Sequence, residues 1–139
     1  MRNTIMYSTL FLVMGASYYI IEILFDGTSH WSMFLLGGVC GVGIGLLNEQ
    51  RLTWDMPLWK QVLYGECIVL PLEFITGCIV NLWLKLNVWD YSGLPFNILG
   101  QSSLLFALLF IPVILLAILT DDYIRYLWFG EEKPKYKIF

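Results

Sequence analysis

Apolar positions along this chain run in long unbroken blocks. They show neither the alternation of a half-buried strand nor the single stripe of a helix on a soluble core. A membrane crossing needs about 20 mostly apolar residues at a rise of about 1.5 Å each. Four blocks approach that length: Thr4 to Phe25, Trp31 to Asn48, Leu58 to Leu84, and Ser102 to Thr120. The second is short but nearly free of charge, and the third is long enough to tilt or protrude. The amphipathic stretch Asp121 to Phe129 reads as an interfacial helix or a continuation of the fourth block, and "EEKPKYKIF" reads as a solvated tail. The pattern predicts an all-α integral membrane protein of four transmembrane helices with a structured extracytoplasmic loop between helices 3 and 4. Residues 1-129 form a single transmembrane helical domain and 130-139 a cytoplasmic tail. Met1-Arg2 followed by an apolar run resembles a signal peptide, but the run continues through Tyr18, Tyr19, Ile20 and Ile21, so an uncleaved first helix is expected.

Composition agrees with that pattern. The 139 residues are 58% hydrophobic and 14% charged, where a soluble domain has about 45–50% and 25%. The net charge of −3 offers no basic surface for nucleic acid. Cys40, Cys67 and Cys78 all lie in apolar segments at spacings that match no zinc or redox motif, so they read as small packing residues.

Charge asymmetry sets an orientation. With the N-terminus in the cytoplasm, Arg2, Arg51, Lys60, Arg125, Lys133, Lys135 and Lys137 lie inside and Lys85 alone lies outside. Trp31, Trp54, Trp59, Trp83, Trp89 and Trp128 fall near span ends, as an interfacial aromatic belt requires. A multi-pass protein of the cell membrane with cytoplasmic N- and C-termini follows. Its two most unusual loops, "FDGTSHWS" and "NVWDYSGLPFN", then share the outer side.

Within the second block Gly37, Gly41 and Gly45 recur every four residues and line one helix face. Such a small-xxx-small face lets another helix approach closely where lipid gives no hydrophobic driving force. A nucleotide-binding glycine loop needs a preceding strand and a different spacing, and neither is present. Pro71 and Pro112 fall in mid-span, where each removes a backbone donor and can kink its helix.

The costly residues are Glu22, Glu66 and Glu73, because a carboxylate at mid-bilayer costs a few kcal/mol and usually faces the bundle interior. Glu66 and Glu73 are seven apart and project from nearly one face; Glu73 is close to mid-depth beside Pro71, and Glu22 lies about one turn below the outer end of its span. No basic residue is expected at the depth of Glu73. A polar side chain, a cation or a proton must then be its partner. The outer face adds His30, Asp90, Tyr91 and Asn97. A lone histidine without H-E-x-x-H or paired-His spacing makes a poor metal site, and Ser29 beside His30 in sequence does not establish a nucleophile and its base. His30 and Trp31 also suit a tight turn at the headgroup level. No catalytic residue, metal ligand or cofactor is expected. The residues expected to bind substrate or a proton are Glu73, Glu22, His30, Asp90, Tyr91 and Asn97. The outer loop is expected to dip into the bundle and hydrogen-bond a third-helix acid.

Several of these residues form a recognisable string. "LEFITG" (Leu72 to Gly77) followed by "WDYSGLPFNILG" (Trp89 to Gly100), with "YYIIEILF" around Glu22 and "SHWSMFLLGG" (Ser29 to Gly38), resembles the CmpB-like family of small multi-pass membrane proteins catalogued with ABC-transporter permeases. Glu22, Glu73, Trp89, Asp90, Tyr91, Ser92, Pro95, Asn97 and Gly100 match the family pattern by position. Many relatives carry a second acid a turn or two after the "LE" glutamate, where this chain reads "CIVNLWLK" with Asn81 as its nearest polar residue. The resemblance implies a permease-like transport protein or transporter subunit. The alternatives are a membrane interaction or regulatory subunit and, third, an enzyme acting on lipid or envelope precursors. The expected partners are the lipid bilayer and either further copies of the chain or a larger membrane protein, with no nucleic acid.

Overall fold

A computed structural model describes residues 1–47, 57–134 and 136. Asn48, Arg51, Trp54, Lys135 and Lys137, used above for a span end, the charge bias and the aromatic belt, lie outside the described residues. Among the described residues there are four helices: α1 (Arg2–Asp26), α2 (Trp31–Leu46), α3 (Leu58–Gly77), which continues as a π-helical segment (Cys78–Trp83), and α4 (Leu104–Phe129). Three are long and apolar enough to cross a membrane: α1 with 25 residues, Leu58–Trp83 with 26 and α4 with 26. The apolar α2 has 16 residues and spans about 24 Å, short of the ~30 Å hydrocarbon core. The loop before α4 carries a small antiparallel ladder, β1 (Asn97–Ile98) with β2 (Ser102–Ser103), pairing Asn97 with Ser103 and Ile98 with Ser102.

Local chemistry sets the helix ends. Gly27 takes a left-handed φ of 82° and closes α1 with its N–H on the Ile23 carbonyl. His30 caps α2, its Nδ1 accepting from the Ser32 N–H at 3.2 Å, and Ser103 Oγ caps α4 by accepting from the Phe106 N–H at 3.3 Å. The expected alternative for Asp121 to Phe129 resolves in favour of continuation: these residues complete α4, which ends at Gly130 in the left-handed region. Arg2 donates from Nη2 to the Phe129 carbonyl, so the two chain ends meet at one end of the bundle.

Helices α1 and α2 form a close hairpin. A Cβ at Gly41 would stand 2.3 Å from Met14 Cγ, and one at Gly37 would stand 2.6 Å from Tyr18 Cβ. Gly45 faces elsewhere, toward the Asp121 carboxylate of α4. The stripe therefore serves two neighbours rather than one. Between the four helices, Leu36, Ile44, Val69, Phe110, Ile114 and Ile118 form the buried apolar centre.

Candidate functional site

The site is assembled at the loop end of the bundle. Glu73, on the inward face of α3, is only 2% exposed. Two side chains from the following loop reach its carboxyl group within hydrogen-bonding range, the Tyr91 hydroxyl and that of Ser102. From α1, Tyr18 hydrogen-bonds Glu22 one turn above it, and Asp26 stands one turn further out. Burial, and then the charge of Glu73, push the Tyr91 phenol well above its ordinary range, so it acts as a neutral donor.

The loop is held down by a carboxamide latch. Asn81, in the π-helical segment, accepts from the Val88 N–H at 2.7 Å and the Trp89 N–H at 3.3 Å. Its Nδ2 donates to Gln101 Oε1 at 2.8 Å. Trp89 Nε1 donates to the Gln101 carbonyl at 3.1 Å, and the Tyr91 N–H to the Gly100 carbonyl at 2.7 Å. Gly77 makes room for this contact, since a Cβ there would meet Gln101 Oε1 at 2.7 Å and Trp89 at 3.0 Å. The segment Trp89 to Tyr91 thereby packs against α3, while Pro95 and Phe96 stay exposed at the tip. Asn81→Leu leaves the Val88 and Trp89 N–H groups without their acceptor, at about 1–3 kcal/mol for a buried donor. We expect faster amide exchange at Val88 and Trp89 and a matching loss of stability; unchanged exchange at both would show that the latch does not hold the loop.

The assembled groups enclose a cavity of about 550 Å³. Glu22, Glu73, His30, Asp90 and Tyr91 line it, together with Asp26, which the sequence reading did not select. Asn97 lies outside the lining. Its Nδ2 donates to the Leu94 carbonyl at 2.7 Å and the Ser92 carbonyl at 3.3 Å, and its Oδ1 accepts from the Gly100 N–H at 3.0 Å. These bonds hold Phe96 and Leu99 at φ 55° and 52°, a left-handed backbone that non-glycine residues rarely adopt. Asp90 sits at the exposed mouth, where Oδ1 accepts from the Ser92 N–H at 2.9 Å. That bond and one from the Ser92 side chain hold its carboxyl below the usual aspartate range. Glu66 lines neither this cavity nor the crevice beneath it, and its carboxyl oxygens have no partner among the described residues.

Below Glu73 the cavity gives way to an apolar crevice of about 90 Å³, lined by Met14, Cys40, Ile44, Val69 and Phe110 among others. Tyr18, Leu36 and Glu73 border both spaces. One Glu73 oxygen, Oε2, has no hydrogen-bond partner among the described residues. No group of three or more His, Cys, Asp or Glu side chains among those residues is arranged to hold a metal ion.

Sequence reasoning missed Tyr18, Asn81, Gln101 and Ser102. Tyr18, Glu22 and Asp26 at intervals of four do form a legible polar stripe on α1. Asn81 stood out as a departure from the family pattern, and its carboxamide supplies both the acceptor and the donor that the latch uses.

The model of the family described as "Putative ABC-transporter type IV" matches residues 3–130. No curated protein and no solved structure matches the chain.

Proposed function

Since the match covers residues 3–130, the chain belongs to the family described as "Putative ABC-transporter type IV", and from that membership in a transport-related membrane family we propose that it is a small permease-like transport protein or transporter subunit that admits a cation to Glu73 and Glu22. The observation that carries this reading is the Glu73 side chain: 2% exposed, bordering both the polar cavity and the apolar crevice, with one oxygen unpartnered among the described residues. An unmatched carboxyl oxygen at such depth is costly, and a visiting cation or proton relieves it. The Tyr91 and Ser102 hydroxyls orient the group from above, and Glu22 and Asp26 draw positive charge toward it from the mouth.

The orientation belongs to the same reading. Arg2, Arg125 and Lys133 lie at or near the end where the chain termini meet, and Lys60 lies in the first turn of α3. The positive-inside rule places that end in the cytoplasm and the cavity mouth outside.

The test is flux through the full chain reconstituted in proteoliposomes, with sodium, potassium and protons as probes. A contact to a charged group is worth about 1.5–3 kcal/mol, so Glu73→Gln is expected to slow flux at least about tenfold. Unchanged flux in Glu73→Gln removes this residue from the mechanism. If the chain alone gives no flux but co-purifies with a stoichiometric larger membrane partner, it is a non-transporting subunit instead.

A further inference from the structure

The lining of the cavity specifies a narrower class of cation, and the inference rests on the reading of that cavity as a cation site. Four carboxyl side chains border it, Glu22, Asp26, Glu73 and Asp90, with no lysine or arginine among the described residues of the lining. Acids alone do not make a site; here one of them is nearly fully buried and presents an unpartnered oxygen. A bare metal ion would need several oxygens converging at about 2.0–2.6 Å, and among the described residues the acids do not gather in that way. Dispersed negative charge is complementary to a larger cation whose positive charge is also dispersed.

Two further features point the same way. Tyr18, Trp89, Tyr91 and Phe106 share the lining with the acids. Tyr91 stacks on Phe106 with centroids 4.3 Å apart at 11°, and Trp89 lies 6.4 Å from Tyr91. Aromatic walls attract organic ammonium groups, which carry less hydration than a small inorganic ion. The crevice below Glu73 is apolar and holds about 90 Å³, the space of roughly three waters. It suits a short hydrocarbon chain and offers a hydrated ion little.

We propose that the site takes an organic ammonium ion bearing a short alkyl chain, with its head between Glu73 and the aromatic wall and its chain in the crevice between α1, α2, α3 and α4. The head satisfies the Glu73 Oε2 that has no partner among the described residues, and the chain packs against the apolar lining of the crevice.

The test uses the full chain in lipid nanodiscs and calorimetric titration with tetramethylammonium, ethyltrimethylammonium, butyltrimethylammonium and octyltrimethylammonium. A buried methylene is worth about fourfold in affinity. Affinity should therefore climb from the methyl to the butyl compound and level off by the octyl, as the crevice fills. Glu73→Gln should weaken butyltrimethylammonium at least about tenfold, and Phe106→Leu should weaken it severalfold. Melting temperatures identify any variant that fails to fold, in which case Glu22→Gln is substituted for Glu73→Gln. An affinity that keeps rising through the octyl compound and ignores both substitutions is partition into lipid and overturns the proposal. So does equal binding of 3,3-dimethylbutanol, which has a similar shape without the charge. Glu73-dependent flux of sodium or protons without ammonium binding overturns this inference and leaves the transport reading standing. Ammonium binding without flux of any cation does the reverse.

Discussion

Arg125→Met is expected to destabilise the bundle by about 3–5 kcal/mol, the cost of removing one partner from a buried ion pair. Arg125 Nε donates to Asp121 Oδ2 at 3.0 Å, and the two side chains are 3% and 0% exposed. The guanidinium also lies 5.4 Å from the Tyr7 ring centroid and 3.9 Å from Glu131. Without it, the Asp121 carboxylate remains sealed between α4 and Gly45 of α2, where water cannot solvate it. The double variant Asp121→Asn/Arg125→Met removes both charges and should recover much of the loss. Denaturant unfolding of the purified protein in detergent measures both. A single variant as stable as the wild type would show that the pair contributes little here.

The second large effect is expected at Gly41. A Cβ there falls 2.3 Å from Met14 Cγ and 2.4 Å from Met14 Cβ. The Cβ atom cannot rotate away, so Gly41→Val must push α1 and α2 apart. Overpacking of this kind costs about 1–3 kcal/mol. It also moves Tyr18 and Glu22, which ride on α1, relative to Glu73 on α3. Both stability and flux should fall. Gly43→Ala is the control, because its nearest contact is the flexible Ile68 side chain at 3.2 Å. Equal melting temperatures for wild type and Gly41→Val would show that the hairpin is not held by this close approach.

Much of the helical layout was legible in the sequence, because a helix in lipid satisfies its own backbone and announces itself by an apolar run. The run lengths located all four helices. They left the end of α4 open between a continuation and an interfacial helix, because Asp121, Asp122 and Arg125 look like the start of an interfacial segment. In the fold Arg125 neutralises Asp121 from the next turn, and the helix carries on to Phe129. The glycine stripe was visible as a periodicity of four. Its division between α1 and α4 was not, since periodicity gives a face and leaves the neighbour unnamed.

The candidate site divides in the same way. Glu73 stood out from the sequence alone, because an acid in a mid-span apolar run is costly and must have a local solution. The solution itself depends on which groups approach through space: Tyr91 from 18 residues later and Ser102 from β2, just ahead of α4. Asn97 and Tyr91 looked alike in sequence, two polar residues of one loop. Folding assigns Asn97 to three backbone partners within the loop and sends Tyr91 inward to Glu73. The sequence by itself determined an apolar helical chain with a buried acid and a polar loop, because hydrophobic pattern and the cost of buried charge are properties of each segment. Only the tertiary structure decided which carboxyl groups share a cavity, what holds the loop over it and which Glu73 oxygen is left free, because hydrogen bonds and packing across helices depend on distances that spacing along the chain does not encode.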